Sequence, residues 1–378
     1  MENPERDRFL RRLSEWQPPH GVLSVYVNAD PADRGRAWWI ALRDRLREIV
    51  REAAPHDERV AVEAAASRVL ERFPEDGPPP QGRGHAGFIE VAKRPEEVWR
   101  DMQTPPRRTE VLRSPRPYLR PLVEIFDEAP YVGVVLASAE RVRLLEWSMG
   151  ALRELDDWEI VLWSRDWRER KAERSLSGAH EGASASGRDQ FGQRLEANRQ
   201  RFLRETGQRV GEELERRGWR HLVAFGSEPH TEALASGMPG AAGRLHDVPH
   251  DLISSPDGEV AARVAEAIHE LNRERERALT RELAEAIGRG AGAALGPQEV
   301  LEALAEGRVR HLIFDADRDF EVESAGAPGI GGDGGPGRSV AERMIELAVA
   351  TRAEITPLDG DPAAELAKHG GVAALLRY

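Results

Sequence analysis

The tightest constraint on this chain lies at Ser175–Arg204, SLSGAHEGASASGRDQFGQRLEANRQRFLR. Glycine, alanine and serine open the stretch, and no proline interrupts its passage into a long, arginine-studded helical pattern that continues from Gln190 to Arg217. Glycine widens the conformational range of a loop, and guanidinium groups hold phosphates through forked hydrogen bonds. Two readings follow: an arm that reaches into a narrow anionic space, or a surface loop before an ordinary helix. Between Ser164 and Arg204 ten basic residues face six acidic ones, a local balance of +4 inside a chain at −12. The basic charge is concentrated where the arm would be.

The overall charge argues against indiscriminate nucleic-acid binding, which draws on many phosphate contacts from a basic surface, so DNA is not an expected partner. A local basic patch remains compatible with it. Only Lys93, Lys171 and Lys368 are lysines, leaving 51 of the 54 basic residues as arginine. Codon usage in a GC-rich genome accounts for that bias, and lysine-based covalent chemistry has few candidates. With 378 residues the chain exceeds what one core usually supports, so two or three domains are expected. No stretch approaches the roughly 20 apolar residues of a membrane span. The opening MENPERDRFLRRL lacks the apolar centre of a secretory signal, so no membrane partner and a cytoplasmic location are expected. There is no cysteine, which removes disulfides, thiolate metal sites and thiol nucleophiles.

Along the chain, GVLSVYVN at 21–28 alternates as a strand, with Leu23, Val25 and Val27 on a different face from Ser24 and Tyr26. Helical stripes follow at 36–52 and 59–73, then a strand at 87–92. The segment 104–121 carries five prolines and is expected to be extended. A hairpin is expected at 131–136 and 142–147 about the turn 138–140, and a further apolar run covers 159–163. Beyond the Gln190 helix, WRHLVAFG at 219–226 reads as a buried strand ending in a Gly-Ser turn before another helix. Such a turn suits an anion, and it is equally how α/β layers connect.

His246 and His250 form a metal pair only on a helix, and Pro249 between them spoils that geometry, so no metal is expected. A charged helical pattern fills 259–289, and a domain boundary is expected near Asn272. The last stretch reads helix (298–306), strand (311–315), glycine-rich loop, helix (340–350), strand (354–357), helix (363–369) and strand (372–378). The loop GIGGDGGPG at 329–337 lacks the Lys-Ser/Thr of a phosphate-binding loop, and no cofactor is expected. The fold class is therefore α/β, in an N-terminal domain 1–129, a middle domain 130–271 with a long loop 171–190, and a C-terminal α/β/α domain 272–378.

The hairpin, the small-residue loop, the helix FGQRLEANRQRFLRE, the strand HLVAFGS and RLHDVPHD, in that order, resemble the middle domain of the archaeal and eukaryotic class I release factors and Pelota. Phe191, Arg194, Glu196, Arg199 and Phe202 fall on the aromatic-Arg-Glu pattern of their helix. LGPQEVLEALAEGRVRHLIFD, ATRAEITPLD and the closing GGVAALLRY resemble their third domain, which has the fold of the kink-turn-binding ribosomal proteins. VLSVYVNADP and PRPYLRPL are similar to the bacterial and archaeal homologues of this superfamily, including Balon-like ribosome hibernation factors.

The resemblance implies a factor in the ribosomal A site whose middle-domain loop points toward the peptidyl-transferase centre. Its implied partners are the ribosome, through ribosomal RNA and peptidyl-tRNA, with the C-terminal domain contacting the ribosomal stalk base or a translational GTPase. The residues that would contact RNA are Arg170, Lys171, Arg174, Arg188, Arg194, Arg199 and Arg201. Release factors of this superfamily carry Gly-Gly-Gln in that loop; here Ser184, Ala185 and Ser186 occupy the corresponding positions, and the tripeptide occurs nowhere in the sequence. Gln190 and Gln193 are the nearest candidates for catalysis, with Arg188 and Asp189 crowding the approach to an ester. The leading expectation is a non-catalytic factor for rescue, splitting or hibernation. A peptidyl-tRNA hydrolase using one of those glutamines, and a protein-interaction scaffold that has left the ribosome, are the alternatives.

Overall fold

The computed structural model describes residues 4–29, 36–53, 56–77, 80–160, 184–318, 320 and 339–377, with the side chains of 184–191 outside that set. The chain divides into two compact units. One comprises 131–148 and 152–267; the other comprises 4–130, 149–151 and the chain from 268 onward.

The first unit is built on a five-stranded sheet. Strands β5 (Val132–Ala137) and β6 (Arg141–Ser148) form the expected hairpin, extended by β7 (Ala151–Glu159) and, on the other side, by parallel β8 (Leu222–Gly226) and β9 (Leu245–Val248), in the order β7-β6-β5-β8-β9. Ser138 fixes the hairpin turn, because its hydroxyl accepts from the backbone N–H groups of Glu140 and Arg141. Helix α5 (Ser184–Arg217) lies on this sheet with Leu203, Val210 and Leu214 in a core shared with Val135, Leu144 and Leu222. Helix α6 (Glu228–Ala235) follows β8. A Cβ on Gly207 would stand 2.1 Å from the Leu234 carbonyl oxygen, and one on Gly237 would stand 2.0 Å from that of Arg204. Two glycines therefore let α5 meet the α6 end backbone to backbone. Trp219 is fully buried, and its ring occupies the space a side chain at Gly133 would need.

The second unit carries two four-stranded sheets. The N-terminal one, in the order β3-β2-β1-β4, joins β1 (Val22–Asn28), β2 (Gly84–Glu90), β3 (Glu97–Met102) and β4 (Glu110–Ser114) as antiparallel neighbours. Leu23, Val25 and Val27 face a core closed by helices α2 (Ala37–Glu52) and α3 (His56–Arg72). On the opposite face Tyr26 meets Phe88 and Tyr118 edge-on. Helix α1 (Pro4–Glu15) precedes this sheet, and α4 (Arg120–Glu128) follows it. The segment 104–121 carries the extended strand β4, as expected, but its last residues do not stay extended: Arg120 and Pro121 open α4, where the missing proline N–H has no helical partner to lose.

Helix α7 (Asp257–Gly288) begins in the first unit and ends in the second. It leads to β10 (Ala293–Leu295), α8 (Gly296–Ala305), β11 (Val309–Asp315), α9 (Val340–Thr351), β12 (Glu354–Leu358), α10 (Gly360–Leu366) and β13 (Val372–Leu376). The strands order as β10-β13-β11-β12, with β11 and β12 parallel, as a helical crossover requires. Leu279 and Leu283 of α7 and Leu366 of α10 pack on Ile313, Ala373 and Leu375 from one side of this sheet. The glycine-rich loop 329–337 lies outside the described residues.

One strap ties the two sheets of this unit together. Tyr118 N–H donates to Ser24 Oγ (2.9 Å), and the Tyr26 hydroxyl donates to the Tyr118 carbonyl (2.5 Å). Next along the chain, the buried Glu342 carboxylate of α9 accepts from the N–H groups of Leu119 (2.6 Å), the N-cap of α4, and Arg120 (3.1 Å), its first residue. The Arg120 guanidinium in turn donates to the carbonyls of Ala316 (2.6 Å) and Arg318 (2.8 Å). Burial, and then the nearby Glu342 charge, push both tyrosine hydroxyls above their ordinary range. Elsewhere in the N-terminal sheet His85 is buried, with Nδ1 2.7 Å from Asp101 and Nε2 without a hydrogen-bond partner among the described residues. Burial holds its imidazole below the usual range.

Candidate nucleic-acid interface

Helix α5 is longer than the sheet that supports it. At 34 residues it runs about 51 Å, against roughly 20 Å for the strands beneath. Among the described side chains, none ahead of Leu203 is buried. The helix therefore overshoots its core by several turns, and the overshoot is its N-terminal end. It starts at Ser184 rather than at the expected Gln190, because serine and alanine there do not stop a helix and no proline intervenes.

Helical periodicity sorts the residues on this end. Leu203, Thr206 and Val210 face the core, so Arg194 and Arg201, spaced i,i+7, face away from it. Both are exposed and have no ion-pair partner among the described residues. Arg204 and Arg209 are also exposed, and sequence reasoning did not single them out; their spacing from Leu203 and Val210 was the available signal. Farther along the outward face the charge reverses at Glu205 and Glu212. Arg199 sits on the flank that faces the sheet, half-buried, and pairs with Glu140 in the hairpin turn and with Glu196. Of the sequence candidates, Arg194, Arg201 and Gln193 are thus presented to solvent, and Arg199 is engaged. Arg188 and Gln190 lie on α5 with side chains outside the described set, and Arg170, Lys171 and Arg174 are outside the described residues.

The sheet beneath offers little free positive charge. Arg141 pairs with Asp157 (2.6 Å), and Arg143 pairs with Glu154 (2.5 Å) and Asp257 (3.4 Å). The hydrogen bond from Arg141 holds the Asp157 carboxyl below its usual range. Arg153 and Arg217 converge on Glu146, which also accepts from the Trp219 indole. Among the described residues of this unit, the unpaired guanidinium groups that a polyanion would meet stand on α5. The histidines flanking β9 do not form the metal pair that a helix would make: His246 lies on the strand, with Nε2 2.9 Å from His221 Nδ1, and His250 follows the strand. Among the described residues no group of three His, Asp or Glu is arranged to hold a metal.

Residues 117–273, which include this whole construction, match the family model of bacterial archaeo-eukaryotic release factor family 10. That segment is release-factor-like. No curated protein matches the sequence. Among solved structures, the archaeal translation termination factor aRF1 is similar at 19% identity over 100% of this chain and 99% of its own, with a TM-score of 0.25. Ribosome-bound archaeal Pelota, described with ABCE1, is similar at 14% identity over 100% and 95%, with a TM-score of 0.42. Dom34 of S. cerevisiae is similar at 9% identity over 78% and 80%, with a TM-score of 0.41. Among the described residues no helix is long and apolar enough to cross a membrane.

Proposed function

We propose that the protein is a ribosome-associated factor that occupies the A site for rescue, splitting or hibernation, and that the end of α5 is the arm directed at the peptidyl-transferase centre. The observation that carries this reading is the match of 117–273 to a release-factor family, in the segment where α5 projects Arg194 and Arg201 beyond its core. Arginine at the projecting end suits ribosomal RNA, since guanidinium groups bind phosphate in forked pairs. Arg170, Lys171, Arg174 and Arg188, outside the described side chains, are further RNA contacts in this proposal, with Arg199 a weaker contributor because Glu140 already holds it. The domains are 1–129, 130–271 and 272–378, and a translational GTPase is the partner that would deliver the factor. Such a factor works in the cytoplasm.

The arm does no chemistry. Hydrolysis of peptidyl-tRNA needs a water positioned at the ester, and Gly-Gly-Gln is absent from the sequence. The test has two arms. Purified protein should cosediment with 70S ribosomes or a subunit in a salt-sensitive manner, and loss of all association at low salt would sink the ribosome reading. It should leave peptidyl-tRNA intact on stalled ribosomes. Release that disappears in the Gln190→Ala, Gln193→Ala double variant would establish the hydrolase instead.

A further inference from the structure

Toward its N-terminal end α5 outruns its core, and polar contacts take over from packing. Leu203 is the first buried side chain among those described, and Arg199, one turn earlier on the same face, turns toward the sheet. Its guanidinium donates to the Glu140 carboxylate in the β5–β6 turn and lies 4.0 Å from Glu196. Its Nε is buried and has no hydrogen-bond partner among the described residues, so part of this cation is turned to the protein and away from solvent. Arg194 and Arg201, on the outward face, are exposed.

Glu140 holds a second point as well. Its backbone carbonyl accepts from the N–H of Ile160 (2.8 Å), the first residue beyond β7. Ile160 is where the chain leaves the sheet, and Arg199 is where α5 meets it again. One turn residue is therefore bonded to both. The turn itself is stiff: the Ser138 N–H donates to the Arg141 carbonyl (2.9 Å), and the Ser138 hydroxyl accepts from the Arg141 N–H (3.0 Å). The Arg141 guanidinium then reaches both oxygens of Asp157 on β7 (2.9 and 2.6 Å). Arg199 and Glu140 are 28% and 44% exposed, and exposed pairs shift an equilibrium by no more than about fivefold. Their placement fixes a direction more than it adds stability.

We infer, on the reading of the α5 end as an arm, that Arg199 and Glu140 form a clamp that aims it, with Arg199 a positioning residue and not an RNA contact. An arm held in one direction before it meets its partner gives up less freedom on binding, so the clamp raises affinity without touching the partner. The two roles of Arg199 predict opposite signs for Glu140→Gln. A phosphate contact restrained by Glu140 would be freed, tightening association with 70S ribosomes, whereas loss of a clamp weakens association about threefold. Glu205→Gln removes a carboxylate from an exposed position of the same helix and should not weaken it. Arg199→Ala should weaken it about threefold with an unchanged salt slope, where a lost phosphate contact would lower the slope by about 0.7. The charge-reversed pair Glu140→Arg, Arg199→Glu should restore association to within about twofold of the wild type. Tightening by Glu140→Gln, a lowered slope in Arg199→Ala, or a reversed pair no better than the single variants would overturn the clamp. Hydrogen exchange on the free protein reads it without a ribosome. Amides of 192–199 should exchange about threefold faster in Glu140→Gln and Arg199→Ala, with those of 203–210 unchanged. Unchanged exchange at 192–199 would overturn the clamp even where ribosomes bind. Faster exchange in a protein that ignores ribosomes would keep the clamp and overturn the ribosome reading alone.

Discussion

Arg120 and Arg194 put the same guanidinium in opposite settings. Arg120 is 7% exposed and spends its donors on the carbonyls of Ala316 and Arg318, in the strap that ties two sheets into one unit. Arg194 stands on a helix end with no core beneath it and no ion-pair partner among the described residues. The first has its hydrogen-bonding capacity consumed inside the fold, where a lost partner leaves a desolvated group behind. The second is hydrated and uncommitted, so removing it costs stability almost nothing and costs an anionic partner a contact. The contrast separates residues that hold the molecule together from residues available to act on something else.

The sharpest way to break that contrast is at Glu342. Replacing it with Ala strips two buried α4 amides of their acceptor and should destabilise the second unit by about 4 kcal/mol, read as a lower urea midpoint of the transition reported by that unit. Gly207→Ala drives a Cβ into the Leu234 carbonyl and should lower the stability of the first unit by about 2 kcal/mol, leaving the second unit's transition in place. A single transition that shifts equally in both variants would contradict the division into two units.

His85 gives a smaller, pH-dependent effect. Its folded-state pKa lies below the unfolded value, so the unfolded chain binds the extra proton first as pH falls. Stability should be full above about pH 6.5 and decline below it until the folded-state pKa is reached, with a slope of at most about 1.4 kcal/mol per pH unit. Denaturation between pH 7.5 and 5.5 checks this, and His85→Gln should flatten that part of the profile. Least in stability terms is the pair Arg194→Ala, Arg201→Ala, expected to change unfolding by no more than about 0.5 kcal/mol. The same pair should reduce the salt dependence of ribosome association by about 1.4 in log–log slope, the value for two lost phosphate contacts on single-stranded nucleic acid. A large loss of stability there would mean that the helix end is packed after all.

Much of this was legible in the sequence where local pattern and burial agree. The hairpin about Ser138, the strand Leu222–Gly226 and the β11-α9-β12 crossover alternate or repeat as their elements demand. The strands β3 and β7 were not legible. EVWRDM and ALRELDDWE are edge strands with little buried surface, so their sequences carry charge in place of alternation. The strap was invisible for another reason: PRPYLRPL advertises only proline, and its partner Glu342 lies in a helix whose pattern gives no hint of a buried carboxylate. In the candidate site, the arginine concentration was plain, but which arginines are free depended on Glu140, a turn residue whose pairing with Arg199 no spacing rule announces.

The Glu342 contact also sets a schedule for synthesis. Its carboxylate is 223 residues later in the chain than the Leu119 amide it receives. At about 5–20 residues per second, the start of α4 waits roughly 10 to 45 s for its cap. The sheet of 132–248 is completed within that interval. The N-terminal sheet therefore emerges first, and the contact that joins it to α9 closes only after the whole of the first unit has been made.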